Sequence, residues 1–210
     1  MGQYYKLTAL KKNWKTAKKP VKMALTSFDF DNGQKLMEFS YAGNSYVNSM
    51  LFLLHTKCKG LPFVCVGDYA DAKVTKAYPN VNGDGEGTLD LYYEALEYAD
   101  KGNNREYAAL LDELQSHTKD EFDYAFNLSR KEYVKLPKYK AGVWQLQPLT
   151  LLCADGNGRG CGDYRMRDDI ALVGLWAYGR IYVGNDIKEF DENEDMSKYK
   201  LIKPKFKLDW

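Results

Sequence analysis

The sequence predicts an α+β fold, in which helices pack on one side of a mostly antiparallel sheet within a single domain over residues 1–210. Short strand-like segments lie towards both ends of the chain, and segments with helix-period hydrophobic residues occupy its middle. A chain of 210 residues is long enough to bury one core, and its 45% hydrophobic and 28% charged residues are ordinary for a globular protein. No internal repeat divides the chain, so one domain is the expected organisation.

The N-terminal part of the chain predicts two strands before the first helix. Residues 4–10 are expected to form an edge strand, and the lysine-rich residues 11–22 a solvated loop. A turn is expected at residues 31–33, where Asp, Asn and Gly follow one another. The alternation of polar and apolar residues over 35–40 then predicts a second strand.

Three amphipathic segments predict helices, each beginning at a residue that can cap it. Asn44 or Ser45 begins the first helix, Thr88 the second and Asn104 the third. A buried strand over 63–66 separates the first helix from the second. The apolar faces of the helices are formed, in chain order, by Val47, Met50, Leu51, Leu54, Leu89, Tyr92, Tyr93, Leu96, Tyr98, Tyr107, Leu110, Leu111 and Leu114.

The C-terminal part of the chain is expected to consist mostly of strands. Residues 120–135 are ambiguous by pattern, but Phe126-Asn127-Leu128 and Tyr133-Val134 favour strands. Residues 143–153 are expected to be extended. Residues 170–176 and 180–183 are predicted to form the two arms of a hairpin. Residues 189–210 are first acidic and then basic, which predicts a tail draped over the surface.

The most informative pattern is the segment 155–164, which carries glycine at alternate positions from Gly156 to Gly162. Glycine loses more backbone freedom on ordering than any other residue, so this spacing predicts positive φ angles or close approach to backbone N–H groups. Successive N–H groups of this kind can form a nest for an anion. Neither the P-loop pattern nor the dinucleotide fingerprint fits, and a wide surface turn is the alternative. The expected anion-binding residues are Gly158, Arg159, Gly160, Gly162, Arg165 and Arg167.

The tripeptide Gly-Asp-Tyr occurs twice, once after the predicted strand at 63–66 and once inside the glycine segment. A carboxylate at the end of a strand lies at the rim of a sheet, where ligand sites are common. If the two tripeptides meet, Asp68 and Asp163 can accept hydrogen bonds from ribose hydroxyls. Tyr69 or Tyr164 can then stack on a base. The alternative for each tripeptide is an Asp that caps a helix and a Tyr that packs in the fold.

Residue spacing argues against a metal site. The two histidines and four cysteines follow no spacing that is typical of zinc ligands or of a catalytic pair. Residues 80–91 imitate a calcium-binding loop, but Leu91 stands where the bidentate glutamate belongs. We therefore expect neither a metal ion nor a cofactor.

Composition also limits the partners and the location of the protein. No apolar run approaches the length that crosses a membrane, and the N-terminus lacks the pattern of a signal peptide. The few, irregularly spaced cysteines fit reduced thiols in a cytoplasm. A net charge of +1 gives no electrostatic basis for binding a membrane or duplex nucleic acid. A cytoplasmic protein is expected, and a homo-oligomer is compatible with the sequence.

Several motifs in the chain resemble an uncharacterised family of bacterial and bacteriophage proteins. The chain departs from the family pattern at Phe39, where histidine is usual, and at Cys161, where glycine is usual, so a catalytic role at position 39 is not expected. The resemblance implies no activity. Because the family occurs in bacteriophages, it implies roles in phage–host conflict, including capture of a nucleotide immune signal in the host cytoplasm. The motifs are Met1-Gly2-Gln3-Tyr4-Tyr5-Lys6, Asn32-Gly33-x-Lys35-Leu36-Met37-Glu38, Ser40-Tyr41-x-Gly43-Asn44, Gly67-Asp68-Tyr69-Ala70-Asp71, residues 127–134, Gly156-Asn157-Gly158-Arg159-Gly160-x-Gly162-Asp163-Tyr164 and Val173-Gly174.

Together these features predict a cytosolic protein that binds a small phosphorylated, nucleotide-derived ligand. A phage protein that sequesters a host immune signal is one form of this hypothesis. The first alternative is an enzyme that acts on a nucleotide or NAD-type ligand, with Asp68, Asp163 or Glu38 as acid or base. The second alternative is an inhibitor that binds a host protein through exposed tyrosines and the charged tail.

Overall fold

The strands of this protein form one open sheet. The computed structural model describes residues 3–70, 91–100, 102, 104–156 and 170–206. The strands are β1 (Tyr5–Leu10), β2 (Val21–Leu25), β3 (Leu61–Gly67), β4 (Tyr124–Asn127), β5 (Glu132–Lys135), β6 (Ala154–Asp155), β7 (Arg180–Gly184) and β8 (Lys200–Leu201). They are arranged in the order β2-β1-β3-β7-β4-β5-β8, and β6 pairs with β3 beside this path. The predicted α+β class with a mostly antiparallel sheet is confirmed.

Along the described part of the chain, helices occupy segments that connect the strands. The α-helices are α1 (Leu36–Phe39), α2 (Ser45–His55), α3 (Leu91–Tyr98), α4 (Arg105–Leu114) and α5 (Pro148–Leu152). Short 3-10 helices are formed by Ser27–Phe30, Gln115–His117, Ile170–Leu172, Ile187–Glu189 and Met196–Lys198. The predicted caps of α2 and α4 are confirmed: the side chain of Asn44 accepts from the N–H of Val47, and that of Asn104 from the N–H of Tyr107.

Strand β3 lies inside the sheet and is buried from Pro62 to Gly67. Its nearly continuous apolar sequence fits a strand that is covered on both faces. On one side it pairs with β1, antiparallel, from Tyr5 opposite Gly67 to Ala9 opposite Phe63. Its other side is shared, because the first residues of β3 pair with β7 and the last ones pair in parallel with β6. The carboxyl ends of β3 and β6 therefore lie side by side.

The two faces of the sheet carry different cores. Tyr5, Leu7 and Ala9 of β1 belong to the larger core, which also contains residues of α2, α4 and α5. Alternate residues of a strand point to opposite faces, so Lys6 points to the other side. On that side α3 packs against the sheet, and the smaller core consists of Leu10, Trp14, Val21, Ala24, Val64, Val66, Leu91, Tyr92 and Ala95. Lys6 is thus enclosed between the sheet and α3.

Two segments that were predicted to be extended are helical instead. Residues 36–39 form α1 because the backbone N–H of Lys35 donates to Glu38 Oε2 at 2.9 Å, which closes the first turn. Leu36 and Phe39, which are three residues apart, are both buried, as on one side of a helical turn. Residues 148–152 form α5, in which Pro148 occupies the first position, where a helix needs no backbone N–H.

Two predictions about strand pairing are also wrong. The strand at 5–10 is not at an edge, because β2 and β3 flank it on both sides. No hairpin joins 170–176 to 180–183: residues 170–172 form a 3-10 helix, turns follow, and β7 pairs with β4 and β3. The C-terminal residues 189–206 are mostly exposed, and within them β8 adds a two-residue parallel strand beside β5.

Candidate functional site

The candidate site lies where β3 and β6 end, at the edge of the sheet that is formed by the carboxyl ends of these strands. The parallel pairing of these strands places Cys65 opposite Ala154 and Val66 opposite Asp155. The next residue of each strand is a glycine: Gly67 begins the first Gly-Asp-Tyr tripeptide, and Gly156 begins the glycine segment. The first tripeptide and the start of the glycine segment therefore leave the sheet at the same place.

Both glycines are required by close packing at this edge. A Cβ atom on Gly156 would overlap the Gln3 side-chain oxygen and the Tyr5 hydroxyl. A Cβ atom on Gly67 would lie 2.9 Å from the Tyr5 ring and 3.1 Å from the carbonyl oxygen of Asp155. The Tyr5 hydroxyl donates to the Gln3 oxygen at 2.7 Å, so this group is held in place. Close approach of the backbone, rather than a loose turn, explains these two glycines.

A row of three residues in register crosses the sheet at this edge. Lys6 of β1 lies opposite Val66 of β3, and Val66 lies opposite Asp155 of β6. Residues in register share one face of a sheet, so the amine of Lys6 and the carboxylate of Asp155 lie on the same face. Asp155 accepts a hydrogen bond from the hydroxyl of Tyr178 at 2.6 Å. The Tyr178 ring stacks on Trp14, with 5.1 Å between the ring centroids.

Lys6 is an unusual residue for the interior of a sheet, because it has 0% exposure. Its Nζ donates to Thr26 Oγ1 at 3.0 Å and to Gln34 Oε1 at 2.9 Å. The rings of Phe28 and Tyr92 lie 5.6 and 5.5 Å from Nζ, close enough for cation–π attraction. Burial lowers the pKa of Lys6 to about 8, against the opposing attraction of Asp29 and Asp68. The amine is therefore charged at neutral pH but loses its proton in mildly basic solution.

Asp68 and Tyr69, which the sequence singled out, both lie at this edge. The carboxylate of Asp68 accepts from the backbone N–H of Tyr4 at 3.0 Å, and the Asp68 N–H donates to the Tyr4 carbonyl at 3.0 Å. Asp68 thus fastens the end of β3 to the residue before β1. The side chain of Tyr69 is 48% exposed, which leaves its ring open to a ligand.

The other predicted binding residues lie in 157–169, outside the described residues. They are Gly158, Arg159, Gly160, Gly162, Asp163, Tyr164, Arg165 and Arg167. The imitation of a calcium loop at 80–91 likewise falls outside, except for Leu91, which is buried in α3. Glu38, the third candidate for acid or base, caps α1 through its bond to the N–H of Lys35.

Two other features are absent from the described residues, namely a metal site and a membrane-spanning helix. Among them, no group of three or more His, Cys, Asp or Glu side chains could hold a metal ion. Nor does this part of the chain contain a helix of the length and apolar character needed to cross a membrane.

Sequence reasoning missed Lys6, Asp155, Tyr178 and Trp14. From the sequence, Lys6 was assigned no role, because its strand was placed at an edge of the sheet. The only signal for its burial is the apolar or small character of its neighbours in β1, and this signal matters once the strand is known to be flanked on both sides. Tyr178 reaches Asp155 from 23 residues away, and no local pattern predicts such a contact.

No known protein family, curated protein sequence or solved structure matches this chain. The site is therefore defined by its geometry and chemistry alone.

Proposed function

We propose that the protein binds a small phosphorylated, nucleotide-derived ligand at the edge where β3 and β6 end. One observation supports this proposal above the others. The parallel pairing of β3 with β6 puts Gly156 beside Gly67, so the glycine segment starts next to Asp68 and Tyr69. In open α/β sheets, ligands bind beyond the carboxyl ends of the strands, and the parallel pair of β3 and β6 gives this sheet the same arrangement locally.

The proposed roles divide between phosphate and nucleoside. The backbone N–H groups of the glycine segment and the guanidinium of Arg159 bind phosphate, and Arg165 or Arg167 adds positive charge. Asp68 accepts from ribose hydroxyls, because a carboxylate that receives one bond from Tyr4 keeps further acceptor capacity. Tyr69 stacks on the base with its exposed ring.

Lys6 supports the same proposal through its charge. It is protonated at neutral pH, since its pKa is about 8, and it is held rigidly by Thr26 and Gln34. A fixed positive charge in a site of low dielectric attracts an anion more strongly than a hydrated surface lysine does. Lys6 therefore adds a positive field behind the edge at which the phosphate is proposed to bind.

Calorimetric titration with ADP, NAD and a cyclic nucleotide tests the proposal. A charge-assisted hydrogen bond is worth about 1.5–3 kcal/mol, so Arg159→Ala should weaken the best ligand by about tenfold or more. Arg130→Ala is the matched control, since this arginine lies in the turn between β4 and β5 and pairs with Glu132. Equal affinities of the two variants would refute the role of Arg159.

The identity of a native ligand can be sought directly. Mass spectrometry of the material that is released when the purified protein is heated should show a phosphorylated compound. If that compound is a nucleotide signal of host immunity, recovered intact, the protein acts in phage–host conflict by sequestration. Recovery of no phosphorylated compound, together with no binding in the titrations, would count against the proposal.

The second candidate is an enzyme that acts on such a nucleotide, and one observation favours it. Lysines with a lowered pKa and a nearby carboxylate, such as Lys6 with Asp68, are frequent in active sites. Incubation of the protein with each nucleotide distinguishes the candidates. A product that forms with the wild type but not with Asp68→Asn favours the enzyme, whereas intact nucleotide favours binding alone.

A further inference from the structure

A second feature, a groove, lies at the lateral edge of the sheet where β8 pairs with β5. Its volume is about 650 Å³, and it is lined by the end of β5 and the residues after it, the residues that lead into α5, and the chain from β8 to Phe206. The floor is apolar and is formed mainly by Leu136, Leu146, Pro148, Ile202 and Phe206. We call this feature the lysine groove, after the side chains at its rim.

The rim of the lysine groove carries an excess of positive charge. Among the described residues, four lysines line it, namely Lys135, Lys138, Lys140 and Lys203, and no Asp or Glu does. Lys138 pairs with Asp123 at 3.0 Å. Each of the other three is exposed, and none forms an ion pair within the part of the chain that the structure describes. Three ammonium groups that have no ion-pair partner among the described residues therefore surround an apolar floor.

We propose that the lysine groove binds an acidic peptide segment of a partner protein, with a bulky apolar side chain on the floor and carboxylates on the three lysines. Complementary charge steers such a segment to the groove, and burial of the apolar side chain retains it. This site goes beyond the proposed nucleotide site, from which β7, β4 and β5 separate it in the sheet.

The lining of the groove favours a peptide over single-stranded nucleic acid. Proteins bind unpaired bases by stacking them on aromatic side chains. Of the lining residues that the structure describes, Phe206 alone is aromatic, and the rest of the floor is aliphatic or proline. The aliphatic floor accommodates Leu, Ile or Phe side chains, and the exposed rings of Tyr139 and Trp144 lie outside the residues that line it.

Exposed apolar residues next to the groove extend the contact surface. Tyr139, Val143 and Trp144 are 59%, 51% and 43% exposed, and they flank the lining residues Lys138, Lys140 and Gln145 along the chain. Large aromatic side chains are enriched in protein interfaces. They give a partner protein an area to contact around the peptide segment.

Selection from a bead-displayed library of short peptides, randomised over Asp, Glu, Lys, Ser, Leu and Phe, tests this proposal. The full-length protein should enrich peptides that combine carboxylates with a Leu or Phe. Fluorescence anisotropy then gives the affinity of the best peptide for the wild type and for the triple variant Lys135→Glu, Lys140→Glu, Lys203→Glu. We expect the triple variant to bind about tenfold or more weakly, because three attractions become repulsions.

The matched control is the triple variant Lys12→Glu, Lys18→Glu, Lys119→Glu, which makes the same change of charge at exposed lysines outside the groove. It should bind the peptide within about twofold of the wild type at moderate salt, where distant charges are screened. Circular dichroism confirms that both variants fold. The proposal is overturned if no acidic peptide is enriched, if the two triple variants bind alike, or if a single-stranded oligonucleotide binds as tightly as the peptide.

Discussion

The hydroxyl of Tyr178 donates to the carboxylate of Asp155 at 2.6 Å, which joins the turn before β7 to the last residue of β6. Asp155 is followed directly by Gly156, where the glycine segment leaves the sheet. The Tyr178 ring is held in turn by stacking on Trp14. This chain of contacts fixes the position from which the proposed phosphate-binding segment starts.

The first prediction concerns this hydrogen bond. Tyr178→Phe keeps the ring and removes the hydroxyl, so it should lower the free energy of unfolding by about 1 kcal/mol. Because the start of the glycine segment is then less firmly held, we also expect weaker binding of the nucleotide identified by titration. Urea denaturation and calorimetry measure the two effects.

Tyr133→Phe is the control for this variant. The Tyr133 hydroxyl makes no hydrogen bond within the described residues, and its ring packs at the far end of the sheet against Phe126. Its loss should leave both the free energy of unfolding and the nucleotide affinity nearly unchanged. If the two variants behave alike in binding, the Tyr178–Asp155 bond does not position the site.

The second prediction follows from the burial of Lys6. Its pKa in the folded protein is about 8, against 10.5 for the model amine, so the unfolded chain binds more protons than the folded one between these pH values. Stability therefore rises with pH in this window, as far as Lys6 contributes. In Lys6→Met this contribution is absent. Between pH 7 and pH 10, the stability of the wild type relative to Lys6→Met should rise by about 2 kcal/mol.

Comparison with the variant is essential, because burial also raises the pKa of Tyr46 and of the thiol of Cys65, and these groups destabilise the fold at high pH. They are present in both proteins and cancel in the difference. Lys135→Met provides the control, since an exposed lysine is hydrated in the folded and unfolded states. A flat difference between wild type and Lys6→Met over this range would show that the amine is not desolvated.

The third prediction concerns the packing of Gly156. Gly156→Ala should destabilise the protein by about 1–3 kcal/mol, since the added Cβ overlaps the side chain of Gln3 and the hydroxyl of Tyr5. Adding Gln3→Ala removes one of these overlaps and should recover part of the loss, which urea denaturation of the single and double variants measures. Additive effects of the two changes would contradict the close approach seen at this edge.

Local sequence signals predicted much of the fold correctly. The strand at 63–66 and the strands within 120–135 were expected from their β-branched and aromatic residues, and the caps Asn44 and Asn104 from their side-chain oxygens. In contrast, α1 and α5 have four and five residues. Four or five residues are too few to show whether hydrophobic residues recur with the spacing of a helix or of a strand.

The pairing of strands could not be read from the sequence in the same way. Whether residues 5–10 lie at an edge depends on β2 and β3, which are distant in the chain, so the burial of Lys6 followed only from the structure. The site was predicted in part: Asp68 and Tyr69 were expected at a strand end, where they lie. Their neighbour across the edge was not expected, because β6 consists of two residues and its parallel pairing with β3 is a long-range contact.

The last prediction concerns the thiols. Cys58, Cys65 and Cys153 are free and completely buried, and burial raises the pKa of Cys58 to about 12 and raises those of Cys65 and Cys153 as well. A buried, protonated thiol is a poor nucleophile. In a Cys161→Ser variant, which removes the fourth cysteine, we expect no reaction with a disulfide reagent such as DTNB until denaturant is added, and then complete reaction of three thiols. Reaction of the folded variant within minutes would show that the core around β3 opens far more readily than its packing implies.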